Sequence, residues 1–277
     1  MEIKLLALDL DDTTLNERSE LSPGNRAALL EAHRQGIELV IASGRAFDTL
    51  PREMLSFPGI RYAIASNGAG VYRVDTGEAI LHRTIPEGAV EQILKLTEGL
   101  HLTFEAFVEG KAYCDRSFHE NPFEFVENAS GAAYVRATRR PVEDIVAFIR
   151  EHRRELDSLD LVVDGPATKR EMEQRLKTAE SVYITSSESR LIELSHRDCG
   201  KHRGLAFLCE YLGIPRETVV AFGNGDNDAD MLHWAGLGVA VANASPGCLA
   251  AADLVAEHYL EDGVGKTLKW LFAENKS

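Results

Sequence analysis

In the segment Leu5-Leu6-Ala7-Leu8-Asp9-Leu10-Asp11-Asp12-Thr13-Thr14-Leu15, an apolar run passes abruptly into three carboxylates. A short apolar run bounded by polar residues suits a strand covered on both faces, as in a parallel sheet. Such a strand has no structural use for Asp9, Asp11 and Asp12. Crowded carboxylates repel and resist ionisation unless a cation lies among them. The acids therefore read as a site at the carboxyl end of a parallel strand, where open α/β sheets bind ligands. Asp11 stands two positions beyond Asp9 and projects to the same side if the chain stays extended. The pair suits phosphoryl transfer around Mg2+. Asp9 would supply the attacking oxygen and a metal ligand, and Asp11 would protonate the leaving oxygen and then deprotonate water.

The same pattern recurs along the chain. Ser22-Pro23 starts a helix that Gly36 stops. Residues 37–42 form a second strand, which ends in Ser43-Gly44-Arg45. A helix is expected over 47–55, then a strand over 62–65 that ends in Ser66-Asn67-Gly68. Residues 71–74 and 79–82 flank Asp75-Thr76-Gly77 as a β-hairpin. From residue 84 to about 188 the rhythm changes to denser, charge-rich strands mixed with helices. The first rhythm resumes with a strand at 191–194 and a helix from Lys201 to Leu212. A strand over 218–222 then ends in Gly223-Asn224-Gly225-Asp226-Asn227-Asp228. A strand over 237–241, ending at Asn243, and a last helix over 264–272 follow, with a frayed end at 274–277. This predicts an α/β protein. Residues 1–83 and 189–277 form a parallel-sheet core, split by an inserted α+β domain over 84–188.

Composition bounds the function. A chain of 277 residues, 44% hydrophobic and 27% charged, is that of an ordinary globular protein with room for two domains. Its 30 Lys and Arg against 44 Asp and Glu leave a net charge of −14, which argues against nucleic acid and anionic membranes as partners. A small anionic substrate would need locally focused positive charge. No apolar stretch reaches the roughly 20 residues of a membrane span, and no signal-peptide layout is present. Cys114, Cys199, Cys209 and Cys248 form no CxxC pair and have no histidine at zinc spacing. They read as buried free thiols of a cytoplasmic protein. A monomer is favoured over an assembly.

The remaining strand ends complete the chemistry. Ser43 and the N–H of Gly44 suit a phosphoryl oxygen, with Arg45, Asn67 and Asn227 as further substrate-binding candidates. Lys201, at a helix start, suits neutralisation of the site. Asn224 and Asp228, with Asp9 and Asp11, offer oxygen ligands to Mg2+. Each piece alone has an ordinary reading as a turn or solvated residue. Their weight lies in falling, in order, on successive strand ends and helix starts. An EF-hand over Asp226, Asp228 and Asp230 fails, because Met231 stands where glycine is required. Dinucleotide and P-loop glycine patterns are absent.

These residues resemble the haloacid dehalogenase superfamily, and within it the Cof-type sugar-phosphate phosphatases with a large α+β cap. Asp9-Leu10-Asp11-Asp12-Thr13 resembles the first motif, Ser43-Gly44-Arg45 the second, Lys201 the third, and Gly223 to Asp228 the fourth. Asn67-Gly68-Ala69, Asn243-Ala244 and Glu261-Asp262-Gly263-Val264 also match Cof-type signatures. The resemblance implies a Rossmann-like core and a Mg2+-dependent phosphatase acting on small phosphorylated metabolites through an aspartyl-phosphate. It further implies that Asp11 binds the metal through its backbone carbonyl, and that the cap chooses the substrate. Arg116, His119, Lys169, Arg170 and Arg190 are cap candidates, each also readable as a surface cation. The chain departs from the pattern where Asp12 and His202 replace usual glycines and where Asn224 replaces a metal-ligand aspartate. A phosphomutase on the same fold and a regulatory phospho-acceptor are the competing functions. The inserted domain and Ser43-Gly44-Arg45 count against the phospho-acceptor.

Overall fold

The computed structural model describes residues 1–179 and 181–274, so of the expected frayed end only Glu274 lies among the described residues. The chain divides into two compact units. The first comprises Met1–Arg45, Leu50–Leu81 and Gly200–Ser277, and the second Ala46–Thr49 and His82–Cys199.

An eight-stranded sheet forms the first unit. Its order is Leu254–Ala256, Leu237–Val241, Val219–Gly223, Leu5–Leu8, Glu38–Ala42, Ile60–Ala65, Gly70–Arg73 and Ala79–His82. The first six run parallel, and Gly70–Arg73 turns back antiparallel on Ile60–Ala65. Leu5, Leu6, Ala7 and Leu8 are wholly buried, as an apolar run covered on both faces requires. Strand order reverses at Leu5–Leu8. One chain segment continues away through Glu38–Ala42 and the other through Val219–Gly223. Such a switch point opens a crevice beyond the strands' carboxyl ends, which is where Asp9 lies.

The second unit holds a six-stranded sheet, ordered Val182–Thr185, Leu191–His196, Leu156–Val163, Leu102–Val108, Lys111–Asp115 and Arg140–Val142. All its pairs are antiparallel except the last. Helices Glu87–Leu96, Ile145–Glu151 and Pro166–Leu176 contribute to an apolar core with Phe104, Leu159, Leu161, Ile192 and Leu194. Glu105, Asp160 and Glu193 alternate with those residues and are cross-strand partners, all buried. Arg139 pairs with Glu105 at 2.6 Å. Burial first, then Glu193 and Glu105, hold the Asp160 carboxyl well above the usual carboxylate range.

Two expectations are corrected. The strand at 191–194 does not resume the parallel core. It pairs antiparallel with Leu156–Val163 and Val182–Thr185 in the second sheet. Its alternation explains this: Ile192 and Leu194 pack in the apolar core while Glu193 and Ser195 alternate with them. The helix expected over 47–55 is broken into a 3-10 turn, Phe47–Thr49, and a short helix, Arg52–Leu55. Pro51 between them has no N–H to continue a ladder and biases Leu50 away from helical backbone. Among the described residues, no helix is long and apolar enough to cross a membrane.

Candidate active site

Asp9 follows the buried strand directly, and its N–H donates to the Phe222 carbonyl at 3.1 Å. The chain then leaves the strand instead of staying extended. Leu10–Thr14 forms a wide turn closed by the Leu15 N–H on the Leu10 carbonyl, with Asp12 left-handed at φ 54°. Asp9 and Asp11 therefore do not share one face of a strand. Asp9 is buried, whereas the Asp11 side chain is half exposed.

Lys201 lies between two carboxylates. Its Nζ donates to Asp9 Oδ1 at 2.7 Å and to Asp228 Oδ1 at 2.6 Å, and all three side chains are buried. Asp228 Oδ2 accepts from the N–H groups of Asn224 and Gly225, both at 2.9 Å. Both oxygens of Asp228 are thus engaged, one with the lysine and one with the loop that carries Asn224. Asp9 Oδ2, by contrast, is buried with no hydrogen-bond partner. Burial and the nearby Asp228 charge push the Asp9 carboxyl up to about 7, against the lowering pull of Lys201. The same two carboxylates raise the Lys201 ammonium above its ordinary value despite burial.

Arg45 is a substrate candidate, and in this structure its Nε and Nη2 donate to the two Asp11 carboxylate oxygens at 2.8 and 2.5 Å, while Nη2 also reaches Ser19 Oγ at 3.0 Å. This bidentate fork fixes the Asp11 carboxylate. Ser43, beyond the adjacent strand, is buried, and its Oγ accepts from the Arg45 N–H at 3.1 Å. Asn67 and Asn227, the other substrate candidates, are buried and bonded to each other, Asn227 Nδ2 donating to Asn67 Oδ1 at 3.1 Å. In the second unit, Arg116 pairs with Glu143, Arg190 with Glu127, and Lys169 with Ser186 and Glu188.

Asn67 also seats the lysine helix, Lys201–Leu212. Its carbonyl accepts the Gly200 N–H at 2.7 Å. Gly68 follows at φ +86°, and a Cβ there would lie 2.2 Å from the Gly200 carbonyl oxygen. Gly68→Ala is therefore expected to cost more than ~2 kcal/mol, from positive φ and backbone overlap together. Thermal melting checks this, and an unchanged Tm would refute it.

Among the described residues, no group of three or more His, Cys, Asp or Glu side chains is arranged to hold a metal ion. Of the residues expected on the metal, Asp228 has Lys201 on one oxygen and two backbone N–H groups on the other. The oxygens that remain still suit a hard cation. Asp9 Oδ2 is an orphaned buried carboxylate oxygen, and among the described residues Asn224 Oδ1 accepts the Thr13 hydroxyl alone, at 3.1 Å. Sequence reasoning missed the Asp11–Arg45 fork and the tether from Thr13 to Asn224, since neither follows from spacing.

A family model described as haloacid dehalogenase-like hydrolase matches residues 6–268. The Bacillus subtilis (strain 168) phosphatase YwpJ is 32% identical over 292 aligned positions, covering 97% of this chain and all (100%) of that protein. The 5-amino-6-(5-phospho-D-ribitylamino)uracil phosphatase YcsE of the same organism is 28% identical, covering 97% of this chain and 96% of that one. The solved structure of a haloacid dehalogenase-like hydrolase from B. subtilis matches with a TM-score of 0.83 at 28% identity, covering 96% of this chain and 99% of that one. With the acids, the serine and the lysine gathered at one sheet rim, the chain belongs to the Cof-type haloacid dehalogenase-like hydrolases and is a phosphoric monoester hydrolase.

Proposed function

We propose that the protein is a Mg2+-dependent phosphatase of sugar phosphates and related small polyol phosphates, working through an aspartyl-phosphate at Asp9. The observation that carries this reading is the buried Asp9 carboxylate, tied through one oxygen to Lys201 and left unbonded at the other. The phosphoribityl substrate in the name of YcsE supports a polyol phosphate as ligand class.

Asp9, the backbone carbonyl of Asp11 and Asn224 would hold the Mg2+, with Asp228 fixing the Asn224 loop from behind. When bound, the cation would offset charge between the carboxylate and the phosphate dianion. The Asp9 carboxylate attacks phosphorus and the ester P–O bond breaks. Asp11, freed from one arm of the Arg45 fork and protonated on that oxygen, gives the proton to the departing alkoxide while its other oxygen keeps its Arg45 hydrogen bond. Water then attacks the phosphorus of the acyl phosphate, Asp11 takes its proton, and Asp9 leaves as carboxylate with release of phosphate. Ser43 and the Gly44 N–H hold phosphoryl oxygens, and Lys201 keeps Asp9 ionised and oriented. The second unit serves as the substrate-selecting cap.

Phosphate release from a panel of sugar and polyol phosphates, with and without chelator, tests this reading. Chelation is expected to abolish release and Mg2+ to restore it. Because burial and Asp228 push the Asp9 carboxyl up to about 7, Mg2+ binding around that pH is expected to expel part of a proton. Calorimetry in buffers of different ionisation enthalpy reads that proton directly. Undiminished turnover in chelator would sink the metal assignment.

A further inference from the structure

Two carbonyls of the turn that carries Asp11 are held from outside by asparagine side chains. Asn243 Nδ2 donates to the Asp12 carbonyl at 2.9 Å, while its Oδ1 accepts the Tyr259 N–H at 3.3 Å. Asn25 Nδ2 donates to the Thr14 carbonyl at 3.0 Å, while its Oδ1 accepts the Gly265 N–H at 2.8 Å. Each carboxamide thus bridges one carbonyl of the turn to one N–H of residues 259–265. The partners fix each amide's orientation, since a carbonyl only accepts and an N–H only donates. Burial raises the Asp12 carboxyl, and the neighbouring Tyr259 hydroxyl pulls it back down.

The approach is close. A Cβ on Gly265 would lie 2.8 Å from the Gly24 carbonyl oxygen and 3.0 Å from Asn25 Oδ1, so only glycine brings its N–H this near. The turn also needs an external hold. Asp12 occupies left-handed backbone that non-glycine residues adopt at a cost. Within the turn, the Leu15 N–H on the Leu10 carbonyl and the Thr14 hydroxyl on the Asp9 carbonyl close it. Neither of these bonds fixes the Asp12 carbonyl.

We propose that Asn243 and Asn25 are positioning residues for Asp11. They clamp its turn to residues 259–265 and so set where the acid meets the leaving oxygen. This rests on the reading of Asp11 as general acid. Misplacing a catalytic group by about 1 Å costs on the order of 100-fold in rate. The cost should fall on leaving groups that need a proton.

The test uses the full chain with Asn243→Ala and Asn243→Asp, because Asn243 is only partly buried and its loss spares the core. The aspartate keeps the shape but puts an acceptor against the Asp12 carbonyl. Two readouts apply. Amide hydrogen exchange over residues 10–15 is expected to speed up in both variants without added metal. With Mg2+, kcat on an alkyl phosphate is expected to fall about 10- to 100-fold at near-constant KM. Turnover of p-nitrophenyl phosphate, whose leaving group needs no proton, should fall less than about threefold. Unchanged exchange, or equal losses on both substrates, overturns the proposal. Asp11→Asn is the control. If it hydrolyses both substrates in the wild-type ratio, the acid role of Asp11 has failed, and the clamp is then judged on exchange and kcat alone.

Discussion

Asp9→Asn is expected to cut phosphate release by ~1,000-fold or more while leaving the protein as stable as the wild type or more so. The two effects have one origin. A carboxylate whose pKa sits at about 7 is buried at a cost, and one of its oxygens has no partner in the protein. The amide keeps the shape and still accepts from Lys201 Nζ, yet it carries no charge to desolvate. It also cannot attack phosphorus or bind a cation with the same strength. Phosphate release and thermal melting of the two proteins side by side measure both sides of the trade. Full activity in the variant would remove Asp9 from the mechanism.

Lys201→Met is expected to do the opposite to stability. The ammonium bonds both Asp9 and Asp228, and the Lys201 side chain is 1% exposed. Removing one member of a buried ion pair leaves the others uncompensated, typically at about 3–5 kcal/mol. Lys201 also lowers the Asp9 pKa, so its loss moves that group further above 7. At neutral pH the carboxyl then holds its proton and loses its nucleophilicity. Denaturant midpoints and phosphate release should fall together. A variant as stable as wild type would show that Asp9 and Asp228 are not charged together in the fold.

The sequence made the sheet and the rim legible for a physical reason. A strand buried on both faces must be a short apolar run, and polar residues at its end have no packing purpose. That logic placed Asp9, Ser43, Asn67 and Asn224 at neighbouring strand ends. It failed where side chains choose partners across the chain. Arg45 turns to Asp11 rather than outward, and Asp228 turns to Lys201 and its own loop. It failed too where local signals compete. Pro51 splits a helix whose apolar spacing looked continuous. The helix Ala129–Thr138 was missed because Ser130 and Gly131 mask its start, although Asn128 caps it by accepting the Gly131 N–H at 2.7 Å. Asn243 stood out only as a signature, with nothing in spacing to say that it reaches Asp12.

The two neighbours of the strand Leu5–Leu8 are made at very different times. Glu38–Ala42 leaves the ribosome soon after it, but the other partner begins at Val219. At about 5–20 residues per second, the second edge of this apolar strand stays open for roughly 10–40 s of synthesis. The second unit, nearly continuous from His82 to Cys199, can form its antiparallel sheet within that interval. The nascent first unit cannot close its sheet. It presents an unsatisfied, apolar edge, the kind of surface that pairs with other chains and that holding chaperones cover.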